Sequence, residues 1–382
     1  MPTKRQAARH ASGGKGMKKR PTLVVDHDNL RYNMRTVTGW CRDAGIDVAG
    51  VIKVTTGMAS VALDYEECGA KWIASSRLEQ LQRAKDAGVK IPLLMIRVPM
   101  ISELEEMIKV CDYSLQSSLD TLKALEAECL KQDRTHNVIL MADLGDLREG
   151  FFEKEELVDV AVYVENKLDG IHLAGIGTNL GCVGSVKPTE EKMLMLADWA
   201  EAVEEAIGRP LEIVSGGATS SLMPVFDGVM PPKVNMLRIG AVTFCGPTED
   251  LRTCYGRTEV DVMSDEAFIL EAEVIETNTK PTHPIGELGV DAFGKKATYT
   301  DRGRRRRAIL AVGRADYGDI DDLIPLTEGA QVTMASGDHT IVDIEDCKEQ
   351  IRVGDVMRFK LKYSSILRLT ASENITIEEK GR

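Results

Sequence analysis

The uncharged run Val48-Ala49-Gly50-Val51-Ile52 ends in one cation, Lys53. Small and β-branched residues leading into a lone amine are the pattern of a buried parallel strand that delivers the amine at its carboxyl end. An amine held out of water there loses basicity and becomes the kind of nucleophile that forms Schiff bases. Taken alone, the run fits a strand-end lysine reaching water better. A second segment changes the balance. In Ser215-Gly216-Gly217-Ala218-Thr219-Ser220-Ser221, the two glycines let backbone N–H groups approach an anion closely, and Thr219, Ser220 and Ser221 add hydroxyl donors. The same residues also suit a flexible turn into a helix. Arg238-Ile239-Gly240-Ala241 offers a further backbone approach. The segment from Asp143 to Gly150 carries a guanidinium at Arg148, and Thr178-Asn179-Leu180-Gly181-Cys182 carries an amide and a thiol. A nucleophilic lysine beside a phosphate cup is the equipment of a pyridoxal phosphate site, if one fold gathers these segments.

The scaffold must therefore bring strand ends together. Candidate strands lie at 48–53, 71–75, 93–97, 113–116, 138–143, 170–177, 212–215 and 236–239, with helical periodicity between them at 77–87, 103–109, 118–131, 153–164 and 190–206. This alternation over about 200 residues predicts an N-terminal (β/α)8 barrel of TIM type, in which the loops after the strands build the site. A doubly wound sheet would carry a glycine-rich dinucleotide loop after its first strand, where this chain has Lys53-Val54-Thr55-Thr56. Beyond Gly256 the helical periodicity fades. Runs at 267–277, 306–312, 331–334, 340–343, 356–361 and 365–370 predict a C-terminal mostly-β domain. The expected division is a disordered basic tail over 1–20, a barrel over 21–256 and a β domain over 257–382, the last joined by a strand at 22–26. A helix over 28–41, capped by Asp28, should follow that strand.

Composition excludes several classes. Of 382 residues, 43% are hydrophobic and 28% charged, a globular balance with room for two domains. A net charge of -12 argues against nucleic-acid and membrane-surface partners, both of which select basic faces. The run Arg302-Gly303-Arg304-Arg305-Arg306-Arg307 abuts a β pattern and reads as a charged hairpin. No apolar run is long enough to span a bilayer. Eight scattered cysteines without a Cys-x-x-Cys pair point to reduced thiols in a cytoplasmic protein, and the histidines lack the spacing of metal ligands, so no catalytic metal is expected.

Longer blocks carry a resemblance. Val51-Ile52-Lys53, Arg97-Val98-Pro99-Met100, the segment from Asp143 through Arg148 to Phe151, Val214-Ser215-Gly216-Gly217, the segment from Pro284 to Gly294 and that from Arg306 to Gly313 follow one another along the chain. From Pro21 onward the chain resembles the fold type III pyridoxal-phosphate enzymes, the alanine racemase group, and within it is most similar to the ornithine racemases. The resemblance implies a pyridoxal 5'-phosphate cofactor carried by Lys53, which also serves as one racemisation base. It implies that Arg148 approaches the cofactor phenolate and that Arg238 faces the pyridine nitrogen. The phosphate would be held by Thr219, Gly240 and Ala241, with Gly217 and Ser220 of the same loop, and reached by Tyr363 from the β domain. Asn179 stands where alanine racemases place a histidine beside the ring. The resemblance further implies a small amino-acid substrate, ornithine or lysine, and a head-to-tail homodimer with shared active sites.

Two positions carry consequences of their own. A guanidinium at position 238 donates to the ring nitrogen without protonating it, which weakens the ring as an electron sink. Decarboxylases of the same fold type are understood to place a carboxylate there, so racemisation is favoured over decarboxylation. A non-catalytic pyridoxal-phosphate carrier, the remaining alternative, would lack the β domain. Racemisation needs an acid–base group on each face of the planar carbanion. By resemblance the second is a tyrosine from the partner's β domain, but the matching block reads Gly289-Val290-Asp291-Ala292-Phe293-Gly294, and Phe293 carries no proton. Asp291 and Cys182 are the replacements, ahead of Tyr299 and Tyr317; against them, Asp291 also suits a turn and Cys182 a small core residue. A buried distal ammonium needs a carboxylate, and Asp316 and Asp338 are both open for that role.

Overall fold

The computed structural model describes residues 20–290, 294, 296 and 298–382; all but the last residue of the expected tail over 1–20, Asp291 and Phe293 lie outside them. Strand β1 (Thr22–Asp26) is buried along nearly its whole length. Helix α1 (His27–Asp43) follows at once, and its cap is Asp26 rather than Asp28. A cap needs extended backbone, which Asp26 has at φ -98° and ψ 101°, and its carboxylate accepts the Asn29 N–H at 3.0 Å. Asp28 falls inside the first turn and pairs with Arg31 at 2.6 Å.

The chain then winds through β2 (Asp47–Val51), α2 (Ala59–Glu67), β3 (Trp72–Ser75), α3 (Leu78–Asp86), β4 (Leu93–Met95), α4 (Leu104–Val110), β5 (Tyr113–Gln116) and α5 (Leu119–Gln132). It continues through β6 (His136–Ala142), α6 (Lys154–Lys167), β7 (Ile171–Thr178), α7 (Glu190–Ile207), β8 (Ile213–Ser215), α8 (Leu222–Phe226), β9 (Met236–Ile239) and α9 (Ala241–Cys245). Strands β2 to β9 close a parallel barrel, β9 pairing back onto β2. Strand alternation splits the apolar residues. Ala49, Val51, Leu94, Leu115, Ile139 and Met236 pack with one another inside the barrel, while Val48 and Ile52 join the layers beneath the helices. Gly50 also faces outward, and a Cβ there would lie 2.4 Å from the Tyr65 ring. The absent side chain seats that ring. Its hydroxyl donates to the Ile239 carbonyl at 3.1 Å and meets Thr243 Oγ1, tying α2 to β9.

The second unit of structure is an antiparallel sheet with order β12-β15-β10-β11-β14-β13. Its strands are β10 (Phe268–Pro281), β11 (Arg304–Leu310), β12 (Leu323–Pro325), β13 (Gln331–Ala335), β14 (Thr340–Asp343) and β15 (Val356–Leu361). Strand β1 joins it, antiparallel to β10 and parallel to β16 (Thr376–Lys380). Between β11 and β12 lies the short α10 (Arg314–Tyr317). The arginine run leads into β11: Arg305 bridges Asp343 and Asp346 and Arg302 reaches Asp343 at 3.2 Å, while Arg304 and Arg306 donate to the Thr279 and Ile351 carbonyls.

One expected strand is a helix. Residues 365–370 belong to α11 (Tyr363–Ala371), whose buried Ser365, Ile366 and Leu369 share a helical face; an apolar run this short fits either period. Helix α11 packs on the turn after β2, Thr370 Oγ1 donating to the Val54 carbonyl at 3.0 Å and lying 2.9 Å from Thr56 Oγ1. A second tie centres on a fully buried imidazole. His27 Nδ1 faces Asp64 of α2, and its Nε2 lies 3.1 Å from Glu379 of β16. No helix among the described residues is long and apolar enough to cross a membrane.

Candidate active site

Lys53 does not end the strand. Strand β2 stops at Val51, and Lys53 opens a 3-10 turn, Lys53–Thr55, fixed by the Thr55 hydroxyl donating to the Ile52 carbonyl at 3.0 Å. The turn closes on Thr56, whose left-handed backbone at φ 50° redirects the chain into α2. The ladder continues one residue past the assigned strand, since the Ile52 N–H still donates to Ala74 at 2.9 Å. Lys53 Nζ has no hydrogen-bond or ion-pair partner among the described residues. Burial holds its pKa below 10.5; Arg148 and Arg238 push it the same way, opposed by Cys182 and Glu149.

The amine lines a cavity of about 520 Å³ at the carboxyl ends of the barrel strands. From the loop after β6 comes Arg148. Asp143 Oδ1 accepts the Gly145 and Leu147 N–H groups at 2.9 and 3.1 Å, shaping the loop, and Asp146 Oδ1 stitches it to the next by accepting from Cys182 and Val186 at 3.3 and 3.2 Å. The Arg148 guanidinium is clamped on two sides. Nε and Nη2 donate to the Glu149 carboxylate, and Nη1 donates to Cys182 Sγ at 3.1 Å. Asn179 adds an amide whose Nδ2 is buried without a partner among the described residues.

From β9 comes Arg238, only 4% exposed, donating to Ser215 Oγ and to the Thr178 carbonyl at 2.8 Å. Burial pushes it down to about 10, with Glu149 opposing and Arg148 assisting, so it remains a cation at neutral pH. The cup is built by the 3-10 turn Thr219–Ser221 and the start of α9. Its hydroxyls are less free than expected: Ser220 and Ser221 donate to the Leu180 and Gly216 carbonyls at 3.0 and 2.7 Å. Thr219 Oγ1 accepts the Gly240 N–H at 3.4 Å and keeps its own proton to give. Gly217 stands behind the cup, not in its wall. At φ +115° it adopts a conformation that suits glycine, its carbonyl accepts the Arg238 N–H at 2.9 Å, and a Cβ would press to 2.7 Å from Ser221 Oγ. Tyr363 closes the cavity from the first turn of α11, its phenol raised by burial to about 12.

The cavity thus gathers Lys53, Arg148, Asn179, Cys182, Thr219, Ser220, Arg238, Gly240, Ala241 and Tyr363. Asp316 and Asp338 are outside it. Asp316 is buried and accepts from Ser372 Oγ and Asn374 Nδ2 at 2.8 and 3.1 Å, so its carboxylate is already engaged; Asp338 is exposed in the turn between β13 and β14. Asp291 lies outside the described residues. Three charged groups of the cavity were missed from sequence: Arg97, Glu149 and Asp250. Arg97 is held by Glu103 at 2.7 and 2.9 Å and by the Ser76 carbonyl, and serves the wall. Glu149 could have been found from its place beside Arg148. Among the described residues no cluster of His, Cys, Asp and Glu is arranged to hold a metal.

The sequence profile described as Alanine racemase, N-terminal domain, matches residues 25–247, more than half of the chain. The chain belongs to this family. Two relatives extend the match beyond the barrel. This alanine racemase family chain is 37% identical over 358 residues to the ornithine racemase of Acetoanaerobium sticklandii, covering 94% of this chain and 99% of the relative. It is also 37% identical over 352 residues to the lysine racemase of Thermotoga maritima, covering 92% and 96%. An alanine racemase structure from Clostridium difficile 630 superposes with a TM-score of 0.73 over 96% of this chain and 97% of that one. At 19% identity this likeness bears on the fold alone: the barrel and antiparallel sheet are those of the alanine racemases.

Proposed function

We propose that this alanine racemase family chain is a pyridoxal-phosphate-dependent racemase of a basic amino acid, ornithine or lysine. One observation carries the reading: an unpartnered, half-buried lysine shares its cavity with a guanidinium, Arg238, that is buried and still charged. The residues suit the cofactor. Asn179 Nδ2 is an orphaned donor, Arg238 has N–H groups beyond the two spent on Ser215 and Thr178, and the Thr219–Gly240 cup can receive a phosphate. Lys53 would hold the group covalently, Arg148 its phenolate side, Arg238 its ring nitrogen, and Thr219, Gly240, Ala241 and Tyr363 its phosphate, with Ser220 and Gly217 shaping the cup. When bound, pyridoxal phosphate supplies an electron sink that acidifies the substrate α-proton.

The residues do the rest. Arg238 would donate a hydrogen bond to the ring nitrogen without surrendering its proton, a setting that suits removal and return of a proton more than loss of carbon dioxide. Lys53, made less basic by burial and two arginines, takes or returns the proton at Cα. Cys182 is assigned the opposite transfer. Its sulfur lines the cavity and accepts from the Arg148 cation at 3.1 Å. The phenol of Tyr363, raised to about 12, keeps its proton. In this reading the cytoplasmic enzyme is a head-to-tail homodimer, each sheet unit (257–382 with the strand at 22–26) facing its partner's barrel (21–256). Ile285 and Val290, 90% and 70% exposed between β10 and β11, support such a contact.

Purified protein incubated with L- and D-amino acids in deuterated water, with and without added cofactor, tests the reading. Both enantiomers of ornithine or lysine should acquire deuterium at Cα and converge on a racemate. Faster release of carbon dioxide would replace it by decarboxylation, and cofactor absorbance without exchange would leave a carrier. Cys182→Ala should lose exchange from one enantiomer; exchange from both would pass the role to Asp291, tested as Asp291→Asn.

A further inference from the structure

The cavity is lined by two carboxylates that the proton transfers do not use, Glu149 and Asp250. Glu149 is spent, both of its oxygens accepting from Arg148. Asp250 has no hydrogen-bond or ion-pair partner for its carboxylate among the described residues. It stands in the π-type turn Glu249–Cys254, whose wide ring closes where the Tyr255 N–H donates to the Asp250 carbonyl at 2.9 Å. Three anchors hold that turn. Glu249 pairs outward with Lys362 at 3.3 Å, Arg252 with Asp261 at 2.5 Å, and Leu251 is fully buried among Val242 and Val260. The neighbours of Asp250 are thus committed elsewhere, and Asp250 is left to the cavity. Single π turns inserted at a cost in regularity often mark functional positions.

Charge decides what Asp250 is suited to hold. The other ionised groups around the cavity are Lys53, Arg97 paired with Glu103, Arg148 paired with Glu149, and Arg238. A substrate bearing a second ammonium group meets cations on the barrel-floor side and one unspent negative charge at Asp250. An ammonium moved out of water without a carboxylate is strongly disfavoured, whereas an uncharged side chain gains nothing from that carboxylate. We infer that Asp250 is the specificity residue for a diamino acid, receiving the distal ammonium of the ornithine or lysine side chain while the reacting carbon stays at Lys53. This rests on the racemase reading. It also moves the role once open to Asp316 and Asp338 to a residue of the same chain's cavity.

The test compares holoenzyme of the wild type and Asp250→Asn, a change that preserves volume and removes the charge. The KM for L-ornithine should rise by at least about 30-fold, as for loss of one partner of a desolvated pair, with kcat changing far less. L-norvaline has the same carbon chain without the ammonium, and its constant as substrate or competitive inhibitor should stay unchanged. Asp250→Glu, which restores the charge on a longer arm, should recover most of the ornithine affinity and shift preference from lysine toward ornithine. An equal effect on ornithine and norvaline, no effect on either, or a loss confined to kcat would overturn the assignment and leave racemisation standing. Failure of the wild type to exchange the α-proton of any amino acid would instead sink the racemase reading itself.

Discussion

Stability should fall as pH rises past neutrality because of one buried imidazole. His27 is fully buried, with Nδ1 against Asp64 and Nε2 at 3.1 Å from Glu379. A neutral imidazole donates from one nitrogen only, so two carboxylate partners call for the imidazolium. Burial by itself would lower the pKa; the hydrogen bonds to Asp64 and Glu379 overcome it and raise His27 from 6.5 to about 9. Since the folded value lies above the unfolded one, the stabilisation is complete below pH 6.5 and is lost as pH climbs through about 9. At ~1.4 kcal/mol per pH unit, that difference is worth about 3 kcal/mol. Glu379 shows the other side of the same pair. Burial works against its ionisation, but His27 and Ser60 hold it down from 4.5 to about 2, so the acid limb of the loss runs from pH 4.5 toward 2. The two describe one interaction and are not added. Denaturant unfolding of the wild type and His27→Gln at about pH 6 and about pH 9.5 reads the alkaline limb, and the wild type should lose about 3 kcal/mol more than the variant between them. Equal losses in both proteins would refute the imidazolium assignment.

Three substitutions probe the supports of the site. Gly50→Ala places a methyl into the Tyr65 ring and should cost ~1–3 kcal/mol, seen as a lower Tm, with the Tyr65 tie to β9 disturbed. Thr370→Val removes the hydroxyl that holds α11 to the Lys53 turn; calorimetry should show a loss of about 1 kcal/mol, and turnover should slow because the turn that aims the amine loosens. Glu149→Gln weakens the clamp on Arg148, and at ~1.5 kcal/mol for a charge-assisted bond the KM should rise about tenfold in steady-state assays.

The barrel was legible because its strands are short apolar runs bounded by turns, most of them separated by a helix-length periodic segment. Lys53 was legible as a cavity amine for the same reason, being a lone amine at the end of such a run, although the strand stops at Val51 and Lys53 itself opens a 3-10 turn. Local rules failed where tertiary contacts decide. Nothing local separates Asp26 from Asp28 as a cap, because the choice follows from where β1 stops. Residues 365–370 look equally like strand and helix until Ile366 and Leu369 find the core together. The hydroxyls of Ser220 and Ser221 looked like ligand donors, yet carbonyls brought close by the fold claim them. Asp250 gives no sequence signal, since only the closed barrel places its turn at the cavity.

The sheet places β1 beside β16, Thr22 opposite Thr376, so strands from opposite ends of the described chain complete each other. During synthesis the barrel strands emerge long before β16, and the barrel can close while β1 still waits for its neighbour. Tyr363 and Glu379 both belong to that late segment, one closing the cavity and the other completing the His27 pair. A nascent chain halted after β9 therefore holds Lys53 on a finished barrel with an unfinished site. The cavity wall at Tyr363 is thus among the last parts of the chain to be made.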